Sequence, residues 1–159
     1  MAAITIGADA PDFTLPGSDG KEHSLHQYRG KFLVLFFYPK DDTPGCTKEA
    51  CSFRDLHPEL QSKNTVVLGV SPDGIQSHQK FSEKLTLPFV LLSDPDRVMM
   101  RTYAAWGEKN LYGKNVKGVL RSTVVIAPDG TIAHHWPLVR NAEQHPQKVA
   151  EFLTTAHMS

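Results

Sequence analysis

Lys31-Phe-Leu-Val-Leu-Phe-Phe-Tyr38 runs directly into Pro39-Lys-Asp-Asp-Thr43-Pro44-Gly45-Cys46-Thr-Lys-Glu-Ala-Cys51. The first half is continuously apolar, β-branched and aromatic, and it stops at a proline. That pattern predicts a central strand buried on both faces. The second half turns through two prolines and a glycine into a stretch, Lys48 to Ser62, that places Ala50, Phe53, Leu56 and Leu60 on one helical face. Cys46 therefore falls beyond the carboxyl end of a buried strand and at the start of a helix, where α/β sheets build their sites.

The same alternation extends in both directions. Thr65–Val70 ends at Ser71-Pro-Asp-Gly74 and reads as a second strand, with Phe89–Leu92 and Ser122–Ile126 as further ones. Pro128-Asp-Gly130 leads into Thr131–Trp136 and predicts a hairpin. Pro16-Gly-Ser-Asp-Gly20, after a short strand around Phe13–Leu15, predicts an N-terminal β-hairpin. Helical stretches lie at Ile75–Leu85, Arg97–Tyr103 and Glu143–His157, and a long loop precedes Arg121. Strand and helix alternating, closed by a hairpin and a helix, describe an α/β fold with a central mixed sheet flanked by helices.

With 159 residues and no long linker, the chain reads as one domain, 1–159, large enough to bury about 70% of its unfolded surface. Apolar residues make up 40% and charged residues 21%, a globular composition rather than a disordered or membrane one. Lys plus Arg and Asp plus Glu are both 17, and no basic cluster stands out, so no nucleic-acid footprint is expected. The apolar run Phe32–Tyr38 is too short for a bilayer, and Met1–Gly7 lacks the charged and apolar regions of a leader. Two cysteines cannot staple a fold of this size, so the expected compartment is the cytoplasm and the close thiol pair suggests redox chemistry or a metal site.

A helix N-terminus carries unpaired N–H groups and partial positive charge, which favour a thiolate. Thr43 stands where its hydroxyl can turn to the sulfur or to a bound oxygen. Pro39 and Pro44 restrict the loop, and Gly45 permits close backbone approach. Five helical residues separate the cysteines, a rise of about 7.5 Å with Cα atoms roughly 8–9 Å apart. A disulfide needs about 4.4–6.8 Å. If both are helical, they can bond only when the first turn unwinds.

Pro39-x-x-x-Thr43-x-x-Cys46 resembles the active-site signature of the peroxiredoxins, and Cys46-Thr-x-Glu-x-Cys51 followed by Phe53-Arg54-Asp55 is similar to their bacterioferritin comigratory protein (Q-type) subfamily. Ala10-Pro11-Asp12-Phe13, Trp106-Gly-Glu-Lys109, Arg121-Ser-Thr-Val and Pro128-Asp-Gly130 extend the resemblance over nearly the whole chain. Ser52, Val124 and Ala127 depart from it without touching the proposed chemistry. The resemblance implies a thioredoxin-like fold and a thiol peroxidase acting on hydrogen peroxide and alkyl hydroperoxides. Cys46 is then the peroxidatic nucleophile and Cys51 the resolving thiol. Arg121 favours the thiolate and polarises the O–O bond, Thr43 hydrogen-bonds the peroxide, and Pro39 shields the pocket. The cycle passes through a sulfenic acid and an intramolecular disulfide, with thioredoxin or glutaredoxin as reductant, no cofactor, and a monomer as the expected state.

Plainer readings stand beside these. Cys46 and Cys51 also suit buried, inert packing, and Arg121 suits an ordinary strand start. Glu49 reads as a structural residue favouring the first helical turn, and Arg54 as either a supporting partner or a solvated charge. Asp41 and Asp42 read as solvated loop charges. Cys46, Cys51, His57, His134 and His135 lack the converging spacing of a metal site, and Met99-Met100 reads as core. Among functions of a different class, a redox sensor or holdase would use the same pair as a switch. A disulfide oxidoreductase would more often carry Cys-x-x-Cys.

Overall fold

The computed structural model of the protein describes residues 4–158. Met1–Ala3, the beginning of the segment read as lacking a leader, and Ser159 lie outside the described residues.

The apolar run forms β3 (Phe32–Phe37), the middle strand of a five-stranded sheet. Before it come β1 (Thr14–Pro16) and β2 (Glu22–Ser24), an antiparallel hairpin, and one turn of 3-10 helix at Leu25–Tyr28. After it come α1 (Pro44–Ser62), β4 (Thr65–Ser71), α2 (Ile75–Leu85), β5 (Val90–Ser93) and α3 (Val98–Thr102). The chain closes with β6 (Trp106–Leu111), β7 (Lys114–Val119), β8 (Ser122–Ile126), β9 (Ile132–Trp136) and α4 (His145–Met158). The sheet order is β5-β4-β3-β8-β9. β3 pairs in parallel with β4 and antiparallel with β8, so the sheet is mixed, as the alternation of elements implied.

β3 is continuously apolar because each face meets its own core. Leu33, Leu35 and Phe37 pack with Leu68, Val124 and the α3 residues Met99 and Met100. Val34, Phe36 and Tyr38 point the other way, against Cys46, Ala50 and Phe53 of α1, Phe81 of α2 and Val149 of α4. The period of two along a strand assigns alternate side chains to the two layers. Phe36 is the hinge pin of the second layer, stacked on Phe53 at 4.7 Å and edge-on to Phe89. Room for its ring comes from Gly69 on β4, where a Cβ would lie 2.8 Å from Phe36 Cζ and 2.7 Å from Leu91 Cδ2.

One boundary and one element near the site differ from the sequence-based expectation. α1 begins at Pro44 rather than near Lys48, because Pro44 takes the first helical position, where its missing N–H costs nothing. Cys46 is therefore inside the first turn. The helix also continues through Pro58. The segment expected to be a long loop before Arg121 is instead the β6–β7 hairpin, turned by Tyr112 and Gly113, both at positive φ. Among the described residues no helix is long and apolar enough to cross a membrane.

Candidate active site

β3 ends at Phe37, and Tyr38 still hydrogen-bonds across to β4 through its backbone N–H. Pro39 then turns the chain out of the sheet, and residues 39–43 form the loop that enters α1. Thr43 holds the N-cap position in an extended conformation, with Pro44 next. Its carbonyl accepts the Thr47 N–H at 2.8 Å, but its hydroxyl turns away from the helix and donates to the Lys40 carbonyl at 2.8 Å. With its proton so used, Thr43 Oγ1 keeps only its capacity to accept hydrogen bonds.

Cys46, 1% exposed, sits in the first turn of α1. Arg121, between the ends of β7 and β8, reaches across from the sheet, and its Nη2 lies 3.2 Å from Cys46 Sγ. The expected pairing of thiol and fixed cation is thus present between residues 75 positions apart. Gly45 makes that approach possible, because a Cβ there would stand 3.2 Å from Arg121 Nη2. The carbonyl of Arg121 also accepts the Val139 N–H at 2.7 Å, so the loop after β9 braces the backbone that carries the guanidinium.

The other half of the guanidinium goes to a residue read from sequence only as structural. Glu49, one turn after Cys46 and fully buried, accepts Arg121 Nη1 through Oε1 at 2.7 Å. Its second oxygen, Oε2, is buried without a partner. Burial pushes the Glu49 carboxyl up to about 7, overcoming the opposite pull of Arg121. Burial works against the Arg121 charge too, but Glu49 and Cys46 outweigh it and hold the guanidinium charged. The spacing of Glu49 from Cys46 by three was visible in the sequence; that both face one arginine was not.

Asp41 also departs from expectation. It is buried rather than solvated. Its carboxylate accepts the Tyr38 hydroxyl at 2.6 Å and the Ser77 hydroxyl at 2.7 Å, and it meets His78 Nδ1 at 2.7 Å. Burial raises the carboxyl, yet these bonds, His78 foremost, bring it below the ordinary carboxylate range. Asp42 follows the expected reading, exposed and paired with Lys84 at 2.7 Å. Arg54 turns away from Cys46 to Asp55 and to the Leu85 carbonyl, tying α1 to the end of α2.

Cys51 is half-buried and lies in the same unbroken helix as Cys46, and both are free thiols. Helical geometry puts their Cα atoms roughly 8–9 Å apart, outside disulfide range. Pro39 is half-buried at the mouth of the loop. Met99 and Met100 lie in the core as expected. His134 stacks on Phe152 at 4.9 Å, and His57 packs against Phe89. No cluster of three or more potential metal ligands occurs among the described residues.

Residues 6–135 match the AhpC/TSA family. The chain is 48% identical over 138 residues to the putative peroxiredoxin Bcp of Coxiella burnetii, covering 87% of this chain and 91% of that protein. It is 44% identical over 152 residues to the peroxiredoxin Bcp of Bacillus subtilis, covering 96% and 94%. Among solved structures, the Xanthomonas campestris bacterioferritin comigratory protein, described for its alkyl peroxide reduction activity, superposes with a TM-score of 0.89. It is 37% identical and covers 96% of this chain and 99% of that one. A cysteine-to-serine mutant of Xylella fastidiosa PrxQ gives a TM-score of 0.91 at 34% identity, with all of both chains covered. With this match over most of its length and these relatives, the chain belongs to the AhpC/TSA family as a peroxiredoxin of the bacterioferritin comigratory protein (Q) type.

Proposed function

We propose that this peroxidase works by a two-cysteine cycle contained in α1. Cys46, as thiolate, attacks the terminal oxygen of hydrogen peroxide or an alkyl hydroperoxide. The O–O bond breaks, the sulfur is oxidised to a sulfenic acid, and the departing alkoxide or hydroxide takes a proton and leaves as alcohol or water. Arg121 stabilises the anionic sulfur and the charge that grows on the departing oxygen. Thr43 Oγ1 accepts the peroxide's own hydrogen, which aligns the terminal oxygen with sulfur, and Pro39 keeps water from the approach. The first turns of α1 then unwind, Cys51 attacks the sulfenic sulfur, and water leaves as the disulfide forms. A dithiol protein, thioredoxin or glutaredoxin, reduces the disulfide by thiol exchange and is itself oxidised.

The observation that carries this reading is the 3.2 Å contact between Arg121 Nη2 and Cys46 Sγ, in a helix that also holds Cys51. With both cysteines on one chain segment, no second copy is needed, so we assign the cycle to a monomer with residues 1–159 acting as one domain. Thiols that must be returned to the reduced state suit the cytoplasm.

The test is NADPH-coupled consumption of hydrogen peroxide and of an alkyl hydroperoxide, with thioredoxin and its reductase, on the parent, Cys46→Ser and Cys51→Ser. The expected result is repeated turnover in the parent, none in Cys46→Ser, and a trappable sulfenic acid in Cys51→Ser. Normal turnover in Cys51→Ser would remove the resolving assignment. A parent that reacts only once would replace the cycle by a sensor.

A further inference from the structure

The loop that presents Cys46 is held at one point by a buried pair that the chemistry above does not use. Asp41 lies in the middle of that loop, and His78, fully buried, lies in the first turns of α2, 37 residues away. His78 Nε2 is 2.9 Å from the Leu92 carbonyl, and a carbonyl only accepts, so Nε2 carries a hydrogen. On the other side Nδ1 faces Asp41 Oδ2 at 2.7 Å, and the Tyr38 and Ser77 hydroxyls donate to the same carboxylate. The pair is a buried hydrogen-bonded bridge spanning from β5 through α2 to the loop. The backbone is held as well, for the Asp41 N–H donates to Asp73 Oδ2 at 2.6 Å. Asp73 is fastened in turn, its N–H to Ser71 Oγ and its carbonyl accepting from Ser93 Oγ.

This anchorage ends abruptly. Asp42, the next residue, has a φ of 61° and only an exposed ion pair, and Thr43 is the N-cap of α1. The tethered loop therefore meets the helix turn that must unwind across a single left-handed residue. Unwinding the first turn of α1 pulls on a point held by the Asp41–His78 pair as well as by the Asp41 N–H bond to Asp73.

We propose that Asp41 and His78 are positioning residues that latch the peroxidatic loop folded, and that they set how the Cys46 sulfenic acid divides between disulfide formation and a second oxidation. The inference rests on the two-cysteine reading above. While the latch holds, the sulfenic sulfur stays beside Arg121, where a second hydroperoxide transfers an oxygen to it, giving a sulfinic acid and releasing alcohol or water. When the latch parts, Cys51 reaches the sulfur and water leaves as the S–S bond forms. The same latch keeps Cys46 beside Arg121 in the reduced enzyme, so it also favours the first reaction.

The test follows the parent, Asp41→Ala, His78→Leu and Asp41→Asn by mass spectrometry after a fixed excess of hydrogen peroxide without reductant, with the rate of the first oxidation measured by stopped flow. Asp41→Asn keeps the bridge, because its amide can donate to His78 Nδ1, and it is expected to divide its products as the parent does. Asp41→Ala and His78→Leu are expected to raise the disulfide-to-sulfinate ratio about fivefold to tenfold while slowing the first oxidation severalfold, as for loss of one or two net hydrogen bonds. If either unfolds, judged by its thermal melt, Ser77→Ala removes one donor to the same carboxylate and is expected to shift the ratio about twofold to threefold in the same direction. A parent that forms no Cys46–Cys51 disulfide overturns the two-cysteine reading. A parent that forms it, with folded variants that divide their products as the parent does, overturns the latch alone.

Discussion

Glu49 and Cys46 share one guanidinium: Arg121 gives Nη1 to Glu49 Oε1 at 2.7 Å and Nη2 to Cys46 Sγ at 3.2 Å. The carboxyl is fully buried and has one unpartnered oxygen, so its whole interaction is with the arginine that faces the thiol. Its position, not its contact with substrate, is what it contributes. Arg121→Lys, which loses the fork, is expected to lower the rate of Cys46 oxidation about 100-fold or more. Glu49→Gln keeps an acceptor for Nη1 but not the charge, and is expected to lower it about tenfold. Stopped-flow oxidation of the reduced protein by hydrogen peroxide measures both.

Gly45 tests the same arginine from the other side. A Cβ at this position would sit 3.2 Å from Arg121 Nη2, close enough to push the guanidinium by a few tenths of an ångström. Gly45→Ala should also favour the α1 helix slightly. The expected outcome is a thermal melt at or above that of the parent together with a rate of Cys46 oxidation lowered about tenfold, because a small misplacement of a catalytic charge is costly.

Two buried groups make opposite contributions to stability against pH. Glu49 is raised from 4.5 to about 7, so its contribution is complete below pH 4.5 and lost as pH rises through 7. His145 is lowered from 6.5 to about 4, chiefly by burial, so its contribution is present above pH 6.5 and lost as pH falls through 4. Each is worth about 3 kcal/mol, and in the shared window they oppose each other. Urea melts of Glu49→Gln are expected to show stability rising between pH 4.5 and 6.5. Those of His145→Gln are expected to show it falling there, while the parent changes less than either.

Cys46 and Cys51 cannot bond within an intact α1, so a disulfide between them requires helix amides to be exposed. Hydrogen exchange of residues 44–52 is expected to quicken about 100-fold or more in the disulfide form, while α2 and β3 keep their protection. Equal exchange in the two forms would mean that the disulfide is not made within this helix.

The layered fold was readable because its signals are local. Phe32–Tyr38 is apolar without interruption, as a strand with a core on each side must be, Val124–Ile126 is apolar and β-branched, and α2 begins and ends where its spacing predicts. The β6–β7 hairpin escaped because β7 is exposed along most of its length, and its two lysines, asparagine and glycine leave no apolar alternation to see. Its turn signal, Tyr112-Gly113, is weak because the first of the two positive-φ positions is taken by a tyrosine.

The candidate site divides the same way. Sequence by itself determined the thiol, its place at a strand end and helix start, and the helical separation from Cys51, because all three depend on residues within one short segment. That Asp41 is an anchor rather than a solvated charge, and Glu49 an arginine partner rather than a helix-start residue, was decided only by tertiary structure. Their partners, His78 and Arg121, lie 37 and 72 residues away, on elements brought alongside by the pairing of β3 with β4 and β8. A carboxylate's role follows from what surrounds it once water is gone, and burial is a property of the packed sheet and helices, not of the residue or its neighbours in the chain.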